Sequence, residues 1–240
     1  MQKNPLITSS AILSFAVILT GLIVTVGIFQ VKALSNTISV TGSAEQTVMS
    51  DVAKWTLQLT QSADLGDIAS ANAAISRDLG TLRAFLLSSG IEQEWITIQP
   101  VAMDTMYDYN KGGAPSGYVL RQTIVVEAND IEKVKAGAEA VNTLLNEGTM
   151  VSTSSLEYFY SGLQSIKQEI LAKATVDARE RAKKMVEAGG SKLGDLRAAS
   201  MGVLQVTAIN SVEVSDYGMY DTSALEKKVT AVVRASFGIR

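Results

Sequence analysis

The sequence predicts an α+β protein: an N-terminal transmembrane helix, then antiparallel strands packed with three helices in the order ββαββαβαββ. Three observations carry this reading. No charged side chain falls between Lys3 and Lys32. Several later segments alternate apolar and polar residues with the period of two that marks a half-buried strand. Three other segments repeat apolar residues at helical spacing, and each is followed by glycine. Paired strands separated by single helices favour antiparallel sheet with helices packed to one side. Residues 1–35 are read as anchor and short linker, and residues 36–240 as one extracytoplasmic domain.

The uncharged stretch comes first. Its centre, Ala11 to Phe29, is broken only by Ser14, Thr20, Thr25, Gly21 and Gly27. As a helix it measures roughly 28 Å, close to the ~30 Å hydrocarbon core of a bilayer. Lys3 and Lys32 flank it, and Lys32 is placed to snorkel to the far interface. Val31-Lys32-Ala33 also offers a cleavage site, so an export signal is the alternative. The apolar stretch exceeds that of an ordinary signal, which favours a retained anchor. The expected orientation is amino terminus inside and domain outside. That places the chain at a membrane, in contact with lipid through residues 6–31, with its domain outside the cytoplasm.

The strands begin at Ile38 and Val40. Ala53, Trp55, Leu57 and Leu59 then alternate with Lys54, Thr56, Gln58 and Thr60. These two strands are expected to pair antiparallel around Ser50-Asp51. A helix follows over about 63–89, with Ile68, Ile75, Leu79, Leu82 and Leu86 as its stripe and Gly90 as its stop. Trp95 to Tyr109 reads as one long strand, 110–117 as an exposed turn, and 118–128 as the returning strand. Asn129 or Asp130 caps the next helix, with Ile131, Val134, Ala138, Val141 and Leu145 buried and Gly148 closing it. A strand covers about 151–160. The clearest helix runs over about 163–188, with acid-first pairs Glu169–Lys173, Asp177–Arg181 and Glu180–Lys184 four residues apart. Its Ala174, Ala178 and Ala182 form a small-residue row that lets a neighbour lie close. Two strands remain, about 196–209 and 226–239; the last puts Val229, Ala231, Val233, Ala235, Phe237 and Ile239 on one face.

Composition excludes more than any motif supports. Lys and Arg total 21 against 24 Asp and Glu, a formal charge of −3, which argues against nucleic acid as a partner. There is no histidine and no cysteine. That removes the Ser-His-Asp triad, thiol nucleophiles and ordinary zinc sites. Chemistry based on carboxylates, lysine or oxygen-bound metals stays open. No cofactor and no metal is expected.

Ile38-Ser39-Val40-Thr41-Gly42 resembles the opening of a SIMPL domain. So does the run from Ala172 to Ala182, followed by Ala188-Gly189-Gly190-Ser191-Lys192-Leu193-Gly194. The resemblance spans about 36–240. It implies an α+β domain, usually in the bacterial envelope and linked to stress tolerance. Some members form large homo-oligomeric rings. The family has no established catalytic residues, so none carries over, and its many cleavable signals contrast with the long apolar stretch here.

Several residues are candidates for chemistry. Asp104, Asp108 and Asn110 offer oxygens near one turn, and Asp216 and Asp221 near another, but neither spacing fits a calcium loop. Solvated turns account for both. Gly189 to Gly194 lacks the Gly-Lys-Ser/Thr ending of a phosphate loop and follows a helix, so it reads as a helix stop. Glu45, Asp51 and Glu127 have no defined separation that would make a hydrolytic pair. The stronger signal is adaptable contact residues in two loops: Met103, Met106, Tyr107 and Tyr109, then Tyr217, Met219 and Tyr220. They are read as a candidate subunit interface, with coverage of sheet ends as the alternative.

The expected function is thus non-enzymatic: a membrane-anchored, self-assembling envelope protein whose domains form a ring with a scaffold or stress-protective role. An envelope enzyme or small-ligand binder using carboxylates is the alternative. It predicts a concave pocket with convergent polar groups in one subunit. A channel formed by the apolar helices is disfavoured, because the span lacks ionisable residues.

Overall fold

The computed structural model describes residues 5–34, 36–213 and 215–240, with side chains described for 14–28, 36–110, 112–213 and 215–240. The fold is α+β. Helix α1 (Pro5–Leu34) precedes β1 (Thr37–Met49), β2 (Val52–Ala63), α2 (Ile68–Ser88), β3 (Ile96–Ile98), β4 (Ala102–Asp108) and β5 (Ala114–Ala128). Then come α3 (Ile131–Ala140), α4 (Thr143–Asn146), β6 (Val151–Phe159), α5 (Leu163–Ala188), β7 (Leu193–Met201), β8 (Gln205–Ala208), β9 (Met219–Tyr220) and β10 (Glu226–Ile239).

The expectation of a transmembrane helix is corrected. Among the described residues no helix is long and apolar enough to cross a membrane. The side chains described on α1, 14–28, are all exposed. Lys3 and the side chain of Lys32 lie outside the described residues, as do the side chains of Val31 and Ala33.

The chain forms two compact units. The first comprises Met1–Glu45, Lys167–Leu204 and Thr230–Arg240. Here β10 pairs antiparallel with β7, from Val233 opposite Met201 to Ile239 opposite Leu193. The other neighbour of β10 on this side is β1. Val40, Val233, Ala235 and Phe237 pack against the alanine row of α5, where Ala174, Ala178 and Ala182 are fully buried. The ion pairs expected along α5 form at Glu169–Lys173 (2.6 Å) and Asp177–Arg181 (2.8 Å). Gly190, at φ 77°, ends the helix in the left-handed conformation.

The second unit comprises Gln46–Ile166 and Gln205–Val229. Its sheet has the order β3-β5-β2-β6, and β4 also lies on β5. Strand β2 is central: Trp55, Leu57 and Leu59 face α2 and α3, meeting Leu82, Leu86 and Val134. The indole N–H of buried Trp55 donates to Thr153 Oγ1 at 3.1 Å, so its polar atom is satisfied. Asp130 caps α3, its Oδ1 accepting from the Lys133 backbone N–H at 3.2 Å. In this unit β8 and β9 pair in parallel.

Three expectations about the strands change. The hairpin expected around Ser50-Asp51 does not form: β1 neighbours β10, whereas β2 lies between β5 and β6. At that junction Ser50 N–H donates to Leu225 O and Asp51 N–H to Phe159 O, so the backbone leaves one sheet for the other. The strand expected over 95–109 is two strands, β3 and β4, separated around Pro100, which has no N–H for a ladder. The strand expected over 196–209 likewise divides into β7 and β8, with Gly202 between them.

Candidate functional site

The motifs that open and close the folded part meet in the first unit. A side chain at Gly42 would place its Cβ 2.3 Å from both Ala174 O and Ala178 N. Only glycine lets β1 lie this close to α5, and only the alanine row lets α5 come this near. The Ser43 backbone N–H donates to Asp177 Oδ2 at 2.8 Å, locking the same crossing. This bond, followed by the one from Arg181, holds the Asp177 carboxyl below its ordinary range. The two motifs are therefore one structural device.

A cleft of about 510 Å³ opens in the second unit, lined by Glu92, Trp95, Glu127, Asn129, Asp130 and Lys133. Its parts arrive from three local stops. Gly90 ends α2 with φ 82°, and Ile91 buries, which turns Glu92 outward. A 3-10 turn, Gln93–Trp95, then delivers the indole to β3. Ile96 pairs with Val126, so Trp95 sits beside the end of β5, where Glu127 lies. Glu127 also stands opposite Lys54, which faces Glu157 on its other side. Asp130 and Lys133 begin α3. The Lys133 ammonium is 3.0 Å from Asp130 Oδ2 and 5.5 Å from the Trp95 ring centroid. The Lys133 bond holds the Asp130 carboxyl below its usual value. The same bond, with Glu92 nearby, raises the lysine's.

A buried lysine forms a third cluster. Lys227 is fully buried, and its ammonium donates to Asp221 O and Ala224 O (2.6 Å). It also lies 5.8 Å from the Tyr220 ring centroid. Burial pushes its pKa down, and the Asp221 charge opposes this. Asp221 in turn accepts from the Ser223 N–H and hydroxyl and from the Ala224 N–H. The arrangement pins the loop entering β10. The alternation of β10 already places residue 227 on the face of Val229, a signal in the sequence that its apolar face runs into a lysine.

The sequence candidates scatter across these surroundings. Tyr107, Tyr109 and Met103 are exposed near the β4–β5 turn, and Met106 is half-buried. Tyr217 is open to solvent, 98% exposed. Tyr220 is engaged: its hydroxyl accepts from Tyr160 N–H at 3.0 Å, and its ring stacks on Phe159 at 6.0 Å. Met219 is half-buried beside it. Asp104 pairs with Arg121, Asp108 accepts from Asn110 N–H at 3.0 Å, and Asp216 is exposed. Asp51 binds the Ser161 N–H (2.7 Å) and hydroxyl (2.6 Å), which makes it a turn clamp. Glu45 is exposed in the first unit, and only Glu127 of the three proposed carboxylates reaches the cleft. Gly189 to Gly194 stops α5 and hands the chain to Arg240 through Lys192 N–H. Among the described residues, no group of three or more acidic residues is placed to hold a metal ion.

The fold is α+β, and its two motif segments meet where Gly42 of β1 lies against the alanine row of α5. Residues 38–237 match the SIMPL family model, described as a protein of unknown function (DUF541), and the chain belongs to that family. No curated protein matches it. The crystal structure of a hydrolase from Listeria innocua aligns over 82% of this chain and 92% of its own, at 9% identity. Its TM-score of 0.20 is too low to carry an argument about fold or activity.

Proposed function

We propose that this chain is a self-assembling, non-enzymatic protein of the bacterial cell envelope, whose SIMPL domains associate into a homo-oligomer with a scaffold or stress-protective role. One observation carries the assembly. From Asp195 to Met201 every residue of β7 is exposed, and β10 is its neighbour in the sheet. Leu196, Met201 and Val203 are 48%, 55% and 41% exposed. A strand of this kind is a template for pairing with another chain. The apolar side chains exposed along α1 give copies a second surface to cover. Export is supported by the apolar stretch, and mature-protein sequencing across Val31-Lys32-Ala33 tests it.

The mass of the full chain in mild detergent, measured by light scattering, tests the assembly. A multimer is expected, reduced in mass by Leu196→Lys with Met201→Lys while the melting temperature holds. A monomeric parent, or an unchanged mass in the variant, overturns the proposal. Tyr107→Ser, Tyr109→Ser and Tyr217→Ser together ask whether the aromatic loops share in the interface.

A further inference from the structure

We propose that the Trp95 cleft is a seat for an organic cation, a primary amine or guanidinium, which displaces Lys133 from the indole face. The cleft presents three carboxylates, Glu92, Glu127 and Asp130, against one ammonium. That imbalance alone describes any acidic surface. What distinguishes this place is its own occupant: the Lys133 ammonium already lies 5.5 Å from the Trp95 ring centroid, with Asp130 at 3.0 Å. An aromatic face with carboxylates around it is the arrangement that recognises alkylammonium groups, because the ring quadrupole and the negative charges attract the same cation. An aquated metal ion gains little from the ring, and no metal-holding cluster exists among the described residues.

Lys133 is well placed to yield. Its side chain is 46% exposed, so solvent receives the displaced ammonium without burial of charge. The cap on α3 survives its departure, because Asp130 Oδ1 holds the backbone N–H of residue 133. The positive end of α3 is therefore met by Asp130 in both states. Glu127 and Glu157 are both cross-strand register partners of Lys54, two carboxylates to one ammonium. An incoming amine finds Glu92, Glu127 and the indole lining one cleft. The seat is occupied by its own tether in the free protein, which lowers the apparent affinity for any competitor by the fraction of time it is vacant.

The test is calorimetric titration of the full chain at low salt with two probes: cadaverine, and a short acetylated peptide containing one lysine. Lys133→Met keeps the aliphatic stem and removes the charge, and it should tighten binding by ~5-fold by vacating the seat. Glu92→Gln with Glu127→Gln should weaken binding by ~10-fold, and 0.5 M salt should do the same by screening. Trp95→Leu should abolish saturable binding with the melting temperature close to the parent's. Binding of cadaverine assigns the seat to free amines; binding of the peptide alone assigns it to a lysine side chain of another protein. No saturable binding of either probe to both parent and Lys133→Met, no tightening in Lys133→Met, or equal binding in the double glutamine variant overturns the proposal. None of these readouts depends on oligomer mass.

Discussion

The two units solve the same packing problem, a helix against a sheet, with opposite materials. In the first, α5 presents Ala174, Ala178 and Ala182, and β1 answers with Gly42, so backbones nearly touch. In the second, α2 and α3 are held off β2 by Trp55, Leu57, Leu59, Leu82 and Leu86. Close approach leaves no room for extra atoms, and bulky interdigitation leaves no tolerance for missing ones. The first unit should therefore resist truncation and fail on enlargement, and the second should do the reverse.

The largest test of that contrast is Leu57→Ala. It should cost about 2–5 kcal/mol in urea denaturation, whereas Ala178→Gly should cost only about 0.5–1 kcal/mol. Equal losses would break the comparison. Next, Gly42→Ala should destabilise by about 1–3 kcal/mol through overpacking, since the added methyl meets backbone and not a movable side chain. A neutral Gly42→Ala would show that α5 can retreat. Tyr220→Phe should cost roughly 1 kcal/mol by leaving the Tyr160 N–H without its 3.0 Å acceptor while keeping the ring stack.

The smallest effect is in pH. The Asp177 carboxyl has a lowered pKa in the folded state, so its contribution is present above the ordinary carboxylate value. It is lost as pH falls through the folded value. Asp177→Asn should thus be less stable than the parent at neutral pH, and the two denaturation curves should converge in acid. A constant gap across pH would separate the Ser43 contact from the charge on Asp177.

Local chemistry was legible to the residue in places. The helix read over about 163–188 is α5 (Leu163–Ala188), and the last strand is β10, because alternation and glycine stops act within a few residues. Asp130 caps α3 for the same reason. Of the helix stripe read there, Val134 and Val141 are buried but Leu145 is 47% exposed, because the helix breaks after Ala140 and Leu144 turns inward in α4. The membrane-spanning expectation over 6–31 rested on hydropathy and length, and among the described residues no helix is long and apolar enough to cross a membrane. Of the cleft, Asp130 was legible as a helix cap and Trp95 as the start of a strand. Nothing local joined them to Glu92 and Glu127, because their meeting depends on β3–β5 register.

What the sequence determined by itself was where most helices and strands lie, the loss of histidine and cysteine chemistry, and membership of a family carried by two motifs. Capping, alternation and composition are short-range properties, so one chain read in order is enough. Tertiary structure decided which strands are neighbours: Ser39 and Ser236 hydroxyls meet at 2.6 Å across 197 positions. It also decided what the motifs are for, since Gly42 has no visible purpose until α5 lies on it. Strand pairing and close packing are contests among distant segments, settled by which arrangement buries the most apolar surface with every backbone group bonded.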